Sequence, residues 1–238
     1  LAQVNRSLQA WDAADEYLVN HIHQHQLIKP DSRILIFNDL FGALTVNFTE
    51  NRVFTVNDSY LSVCGIKHNL EQNHLNDENR SQLTSLDSLP QNIDIILYKI
   101  PKSKALLSEQ LLKIKQKYTN NVVFIAADRA KEIHSSTLKQ FEKYLGTTKT
   151  SLAVKKARLV FAELDNPARH HSPFPTVWPL ENTRFSLSNH ANVYAREKLD
   201  LGARYFLQNL PEIPAGSRVI DLGCGNGVLG LTVMAAQG

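Results

Sequence analysis

The sequence predicts an α/β protein in which one parallel-sheet unit occurs twice, the first copy complete but degenerate and the second truncated. Three observations carry that expectation. Apolar runs of strand length alternate with helical segments over residues 1–162, the pattern of parallel strands joined by crossovers. A short apolar run leads into a glycine-rich turn at residues 217–231, SRVIDLGCGNGVLGL. An earlier segment, residues 32–44, repeats the frame of that turn.

Taken in order, Leu8, Trp11, Leu18 and Ile22 recur at helical spacing with Asp12 and Glu16 on another face, which predicts an opening amphipathic helix. Apolar runs at 34–37, 53–56, 93–98 and 122–126 predict strands. Between the last two, Leu107, Leu111, Ile114 and Tyr118 mark a helix. Residues 151–154 and 157–162 predict late strands, antiparallel at one edge. From Asn166 the stretch NPARHHSPFPTVWPLEN holds four prolines and little periodicity. It predicts a linker over 163–188, between a first domain at 1–162 and the start of a second at 189–238. Beyond it a helix is expected over 199–210, a strand at 219–222 and a further helix at 229–236.

Composition narrows the function classes. Hydrophobic residues make up 43% and charged residues 21% of the 238, the balance of a globular domain. No apolar run is long enough to span a membrane. The opening LAQVNRSLQAW lacks the layout of a signal peptide, and Leu1 is not a start methionine, so residues upstream are expected. Two cysteines, Cys64 and Cys224, offer no disulfide framework and suit a reducing compartment, so a cytoplasmic location is expected. The formal charge of +3 permits a nucleic-acid partner without requiring one. His21, His23 and His25 alternate, but on a helix that spacing spreads them over diverging faces, and no metal is expected. The pair His170 and His171 reads as solvated polar sequence, and Cys224 as a small side chain within the glycine loop.

The glycine turn carries the chemistry. Val219 and Ile220 predict a buried strand with Asp221 near its exit, and Gly223, Gly225 and Gly227 form a G-x-G-x-G turn before an apolar helix. Glycine suits such a turn because a side chain would block a ligand lying on the backbone, and because the turn can require positive φ. A dinucleotide fingerprint needs G-x-G-x-x-G, but Val228 stands where its third glycine belongs. The acid-x-G-x-G-x-G form resembles motif I of class I, Rossmann-like methyltransferases. That resemblance implies S-adenosyl-L-methionine as cofactor, with the acid toward its ammonium end.

Aligning Ser32 with Ser217, an offset of 217 − 32 = 185, sets SRILIFNDLFGAL against SRVIDLGCGNGVL. Gly42 matches Gly227 and Leu44 matches Leu229. The ligand-facing positions differ: Ile36 stands for Asp221, Asn38 for Gly223 and Leu40 for Gly225. The first copy thus reads as one that no longer accepts the cofactor. Asp58 follows the second strand where the resemblance places a ribose-binding acid, and Asn69 and Asn73 follow in a helix. Where aminomethylating members carry Asn-Pro-Pro-Phe, this chain has Lys99-Ile100-Pro101-Lys102.

A duplicated fold with a degenerate front copy resembles the ribosomal RNA guanine-N2 methyltransferases. NHANVYAREKLDLGARYF (residues 189–206), LQAWDAADEYL, HSSTLKQFEKYLG and KKARLV are closer to the large-subunit branch. The resemblance implies methylation of guanine N2 in 23S ribosomal RNA. It hands Asp221, Gly223, Gly225, Asn226 and Gly227 the cofactor role by motif position. Arg196 and Asp200 fall in the family's pre-motif segment over the cofactor pocket, and read equally well as a helix cap or surface pair. The family's catalytic Asn-Pro-Pro does not occur in these residues, so this stretch alone is expected to be inactive. Lys99, Lys102, Lys155, Lys156 and Arg158 are the cations expected to grip RNA phosphates, against the bland reading of a solvated face. The alternatives are a small-subunit enzyme, a protein glutamine methyltransferase, and a non-catalytic RNA-binding module.

Overall fold

A computed structural model describes residues 9–75 and 78–236. It divides the chain into two compact units, Leu1–His170 and His171–Gly238.

The first unit runs α1 (Ala13–Gln24), β1 (Arg33–Phe37), α2 (Ala43–Asn47), β2 (Arg52–Val56), α3 (Tyr60–Gln72), β3 (Arg80–Leu83), β4 (Ile95–Lys99), α4 (Lys104–Lys117), β5 (Val123–Arg129), α5 (Ser135–Tyr144), β6 (Thr148–Thr150) and β7 (Ala157–Ala162). Its seven strands lie in the order β3-β2-β1-β4-β5-β7-β6. β1 to β5 pair in parallel, and β7 runs antiparallel to both β5 and β6. This mixed sheet resembles the class I methyltransferase fold. β4 is buried at every position, as a central strand covered on both faces must be. Ile96 and Tyr98 point to one core with Leu107, Leu111, Phe124 and Phe141. Ile95 and Leu97 point to the other, which α1 closes with Leu18 and Ile22.

Asp12, expected on a face of the helix, is instead the N-cap of α1, accepting from the N–H groups of Ala14 and Asp15, while Asp15 accepts from the Asp12 N–H at 2.9 Å. This reciprocal box satisfies helix-end donors and fixes where the helix starts. Trp11 precedes the helix and is exposed; Leu8 lies outside the described residues. The late edge strand is Thr148–Thr150 rather than 151–154, of which only Val154 forms a bridge.

The second unit opens with an antiparallel hairpin, β8 (Thr176–Pro179) and β9 (Ser186–Asn189), inside the stretch read as linker. Helices α6 (Leu201–Gln208) and α7 (Val228–Ala236) follow. Leu180, Leu187, Leu199 and Val228 form its small apolar cluster. Residues 219–222 are not a strand, against expectation: Ile220 is 89% and Leu222 94% exposed. A parallel strand is held only by neighbouring ladders. β8 and β9 pair with each other, and no described strand lies beside these residues. No helix among the described residues is long and apolar enough to cross a membrane.

Candidate cofactor site

In the second unit the loop from Asp221 to α7 keeps the conformation its glycines allow. Gly223, Gly225 and Gly227 have φ of 74°, 56° and 79°, the left-handed region that penalises any Cβ. A Cβ built at Gly223 or Gly227 would meet nothing within 4 Å. Backbone conformation is therefore what these glycines answer to in the chain itself. Asp221 Oδ2 accepts from the Gly230 N–H at 3.2 Å, placing a carboxylate at the positive end of α7. Asn226 ties the loop to the pre-motif segment, its Nδ2 donating to the Ala195 carbonyl at 3.3 Å.

Asp200 and Arg196 lie on that same segment. Asp200 caps α6, accepting from the Ala203 N–H at 3.1 Å, and takes the Tyr194 hydroxyl at 3.1 Å. Those two bonds hold its pKa below the usual carboxylate value. Tyr194 in turn stands 3.8 Å from where a Cβ on Gly225 would lie. Sequence reasoning missed Tyr194, which directly precedes Ala195, the residue whose carbonyl Asn226 meets. Arg196 pairs with Glu197 at 3.2 Å, and its carbonyl accepts from the Trp178 indole at 3.0 Å. The structure thus brings Asp200, through Tyr194, beside the glycine loop, while Arg196 meets Glu197, Trp178 and the Phe174 ring.

The corresponding loop of the first unit keeps positive φ at two of its three aligned positions. Asn38 has φ of 60° and Gly42 of 87°, near the values at Gly223 and Gly227, while Leu40, aligned with Gly225, is outside the left-handed region. The bond from Val46 N–H to the Gly42 carbonyl, 2.8 Å, repeats that from Leu231 to Gly227, 3.0 Å. But Asn38 donates to the Lys99 carbonyl at 2.9 Å and exchanges two 3.0 Å bonds with Gln110, which also accepts from the buried Tyr98 hydroxyl at 2.7 Å. Asp39, fully enclosed, caps α2 through the Gly42 and Thr45 N–H groups, and burial raises its pKa. The Asn38 and Asp39 side chains are thus bonded to groups within the first unit.

The family described as RLMG N-terminal domain matches residues 2–166. The chain belongs to the RLMG family. The methyltransferase small domain matches residues 184–238 of this RLMG chain. "Ribosomal RNA large subunit methyltransferase G" of Colwellia psychrerythraea is 63% identical over 250 residues, which take in 100% of this chain and 64% of that protein. Its namesake from Pseudoalteromonas translucida is 46% identical, covering 99% of this chain and 61% of its own length. The chain therefore spans less than two thirds of these relatives. Among solved structures, the T. thermophilus 16S rRNA N2 G1207 methyltransferase aligns with a TM-score of 0.48 and 21% identity, over 66% of this chain and 44% of its own.

Of the five cations expected to face RNA in this RLMG chain, one is withdrawn. Lys99 is buried, with Nζ 2.7 Å from Asp15 and 2.9 Å from Asp12, so it cannot reach a phosphate without leaving two carboxylates behind. Lys102 is exposed after β4. Lys155 and Lys156 are exposed too, and are not on a strand: they form the two-residue turn between Val154 and Ala157, whose N–H and C=O groups bond at 2.8 and 2.9 Å. Arg158 is half-buried on β7, opposite Asp128.

Proposed function

We propose that the whole protein transfers a methyl group from S-adenosyl-L-methionine to guanine N2 of 23S ribosomal RNA in the cytoplasm. The contrast between the two loops carries this reading. Asp221, Gly223 and Gly225 stand before a helix start, whereas the aligned positions of the first unit are Ile36, Asn38 and Leu40, with Asn38 tied to Gln110. The glycine loop fits the cofactor chemically. A carboxylate beside Gly230 suits an ammonium group, and glycines let the ligand approach the backbone. When bound, the cofactor supplies a methyl group on a sulfonium. Asp221 and the loop backbone bind and orient it, and Asp200 with Tyr194 bounds the loop on the side of Gly225. Both relatives bear the name of a large-subunit ribosomal RNA methyltransferase, which supports the substrate.

The first unit, in this reading, is a second copy of the fold that has exchanged cofactor binding for RNA binding through Lys102, Lys155, Lys156 and Arg158. The lysine turn supports it. Lys155 and Lys156 have φ of 48° and 66°, positions where a hairpin built for stability takes Asn-Gly. Local strain held by two exposed cations fits a role for their charge. The test is methylation of protein-free 23S ribosomal RNA by the full-length protein, with N2-methylguanosine read by mass spectrometry. Asp221→Ala should reduce the product at least tenfold. Undiminished product from that variant contradicts the reading.

A further inference from the structure

At the amino ends of the parallel strands, the first unit has a cleft of about 710 Å³. It lies at the opposite end of the sheet from Asn38, Lys102 and the lysine turn, and none of the groups assigned above lines it. Strand register fixes its floor. Ile125 stands opposite Phe161, and Phe161 opposite Lys149, so these three side chains leave one face of the sheet. Val123, two residues before Ile125, shares that face and is 44% exposed although its strand is central. α1 covers Ile125 but ends at Gln24. Its last turn brings His21 over the floor, 5.2 Å from the Phe161 ring and 4.4 Å from His25, measured between ring centres.

Three rings therefore border a cleft whose apolar floor reaches solvent. Burial, with His25 adding to it, lowers the His21 pKa, which favours the uncharged ring and its flat face over a countercharge. Lys149 brings a cation to the lining, and Asn120 and Glu163 bring hydrogen-bonding groups.

We propose that this cleft holds an unpaired nucleotide of the RNA, its base against Phe161 and the imidazoles and its phosphate on Lys149. The proposal rests on the RNA reading above. Single-stranded bases are held by stacking on aromatic and histidine rings, with cations tracking the phosphates, and the cleft supplies both within one rung of sheet. Its volume falls in the range of small-ligand sites, about 300–1,000 Å³. Glu163 adds selectivity. Its carboxylate repels a phosphate on its side and accepts from an amino group on the base, so adenine, cytosine or guanine suits the cleft better than uracil.

The full chain is tested with six-nucleotide single-stranded oligo(A) and oligo(U), by fluorescence anisotropy at several salt concentrations. Oligo(A) should bind more tightly than oligo(U). Phe161→Leu keeps apolar volume for the core and removes the ring; it should weaken oligo(A) about tenfold and leave the salt slope unchanged. Lys149→Glu should weaken both oligonucleotides and lower the slope by about one unit. His25→Ala, at an exposed position, carries the stacking test if Phe161→Leu does not fold. A stacking variant that folds and binds oligo(A) like the parent overturns the cleft and leaves the RNA reading standing. A parent chain that binds neither oligonucleotide at low salt overturns both.

Discussion

Lys99 Nζ lies 2.7 Å from Asp15 Oδ1, and the same ammonium reaches Asp12 at 2.9 Å. The last residue of β4 is thereby locked onto the first turn of α1. The capping box makes this possible, because it holds both carboxylates at the helix start where β4 ends. Burial works against the lysine's charge, but the carboxylates outweigh it and raise its pKa. Asp15 is pushed up by burial despite the lysine.

Lys99→Met should therefore cost about 3 kcal/mol in denaturant unfolding, since it leaves the buried Asp15 without its cation, while the half-buried Asp12 is screened by solvent. A raised lysine pKa contributes stability in full below the unfolded lysine value and loses it as pH rises through the folded one. The gap between parent and variant should be widest near neutral pH and narrow above the ordinary lysine value of 10.5. A gap that stays constant to higher pH contradicts the pairing.

Gln110 is the second point where the first unit has been closed. Gln110→Leu leaves the Asn38 amide oxygen and the Tyr98 hydroxyl without their partner, while the Asn38 amide nitrogen keeps the Lys99 carbonyl, and should cost about 2–4 kcal/mol. Cofactor binding measured by calorimetry on the full-length protein should not change. A parallel loss of cofactor affinity would tie the filled loop to the working one.

Replacing Lys155→Asn together with Lys156→Gly should raise stability by about 1 kcal/mol, because both positions have left-handed φ. The surface pair of Lys155 with Glu16 at 2.6 Å gives back little of that. RNA affinity should fall, with the salt slope lowered by about two units if both lysines contact phosphate. A more stable variant with an unchanged slope makes the turn a strained hairpin and nothing more.

The central strands were legible because burial on both faces leaves continuous apolar runs, as in Ile95, Ile96, Leu97 and Tyr98. Edge elements were not. β3 is Arg-Ser-Gln-Leu and β6 is Thr-Lys-Thr, polar segments held by a neighbour's ladder rather than by their own pattern. The hairpin of β8 and β9 hid among prolines, which suit such isolated strands as well as they suit a linker. The positive-φ glycines of the loop were readable from their spacing, because positive φ restricts residue type at the positions themselves, whereas the strand expected before them does not form. The fate of Lys99 was unreadable, since its partners lie more than 80 positions earlier in the chain. A cation next to a degenerate motif looks the same in sequence whether it is solvated or paired.

The central claim is that one of two aligned loops holds the cofactor, and counting cofactor molecules tests it most directly. Isothermal titration of the full-length protein with S-adenosyl-L-methionine should give one site per chain. Asp221→Ala combined with Gly223→Leu should abolish it, since the first removes the carboxylate and the second puts a branched side chain at φ of 74°. Two sites per chain, or a single site that survives the double substitution, would contradict the account.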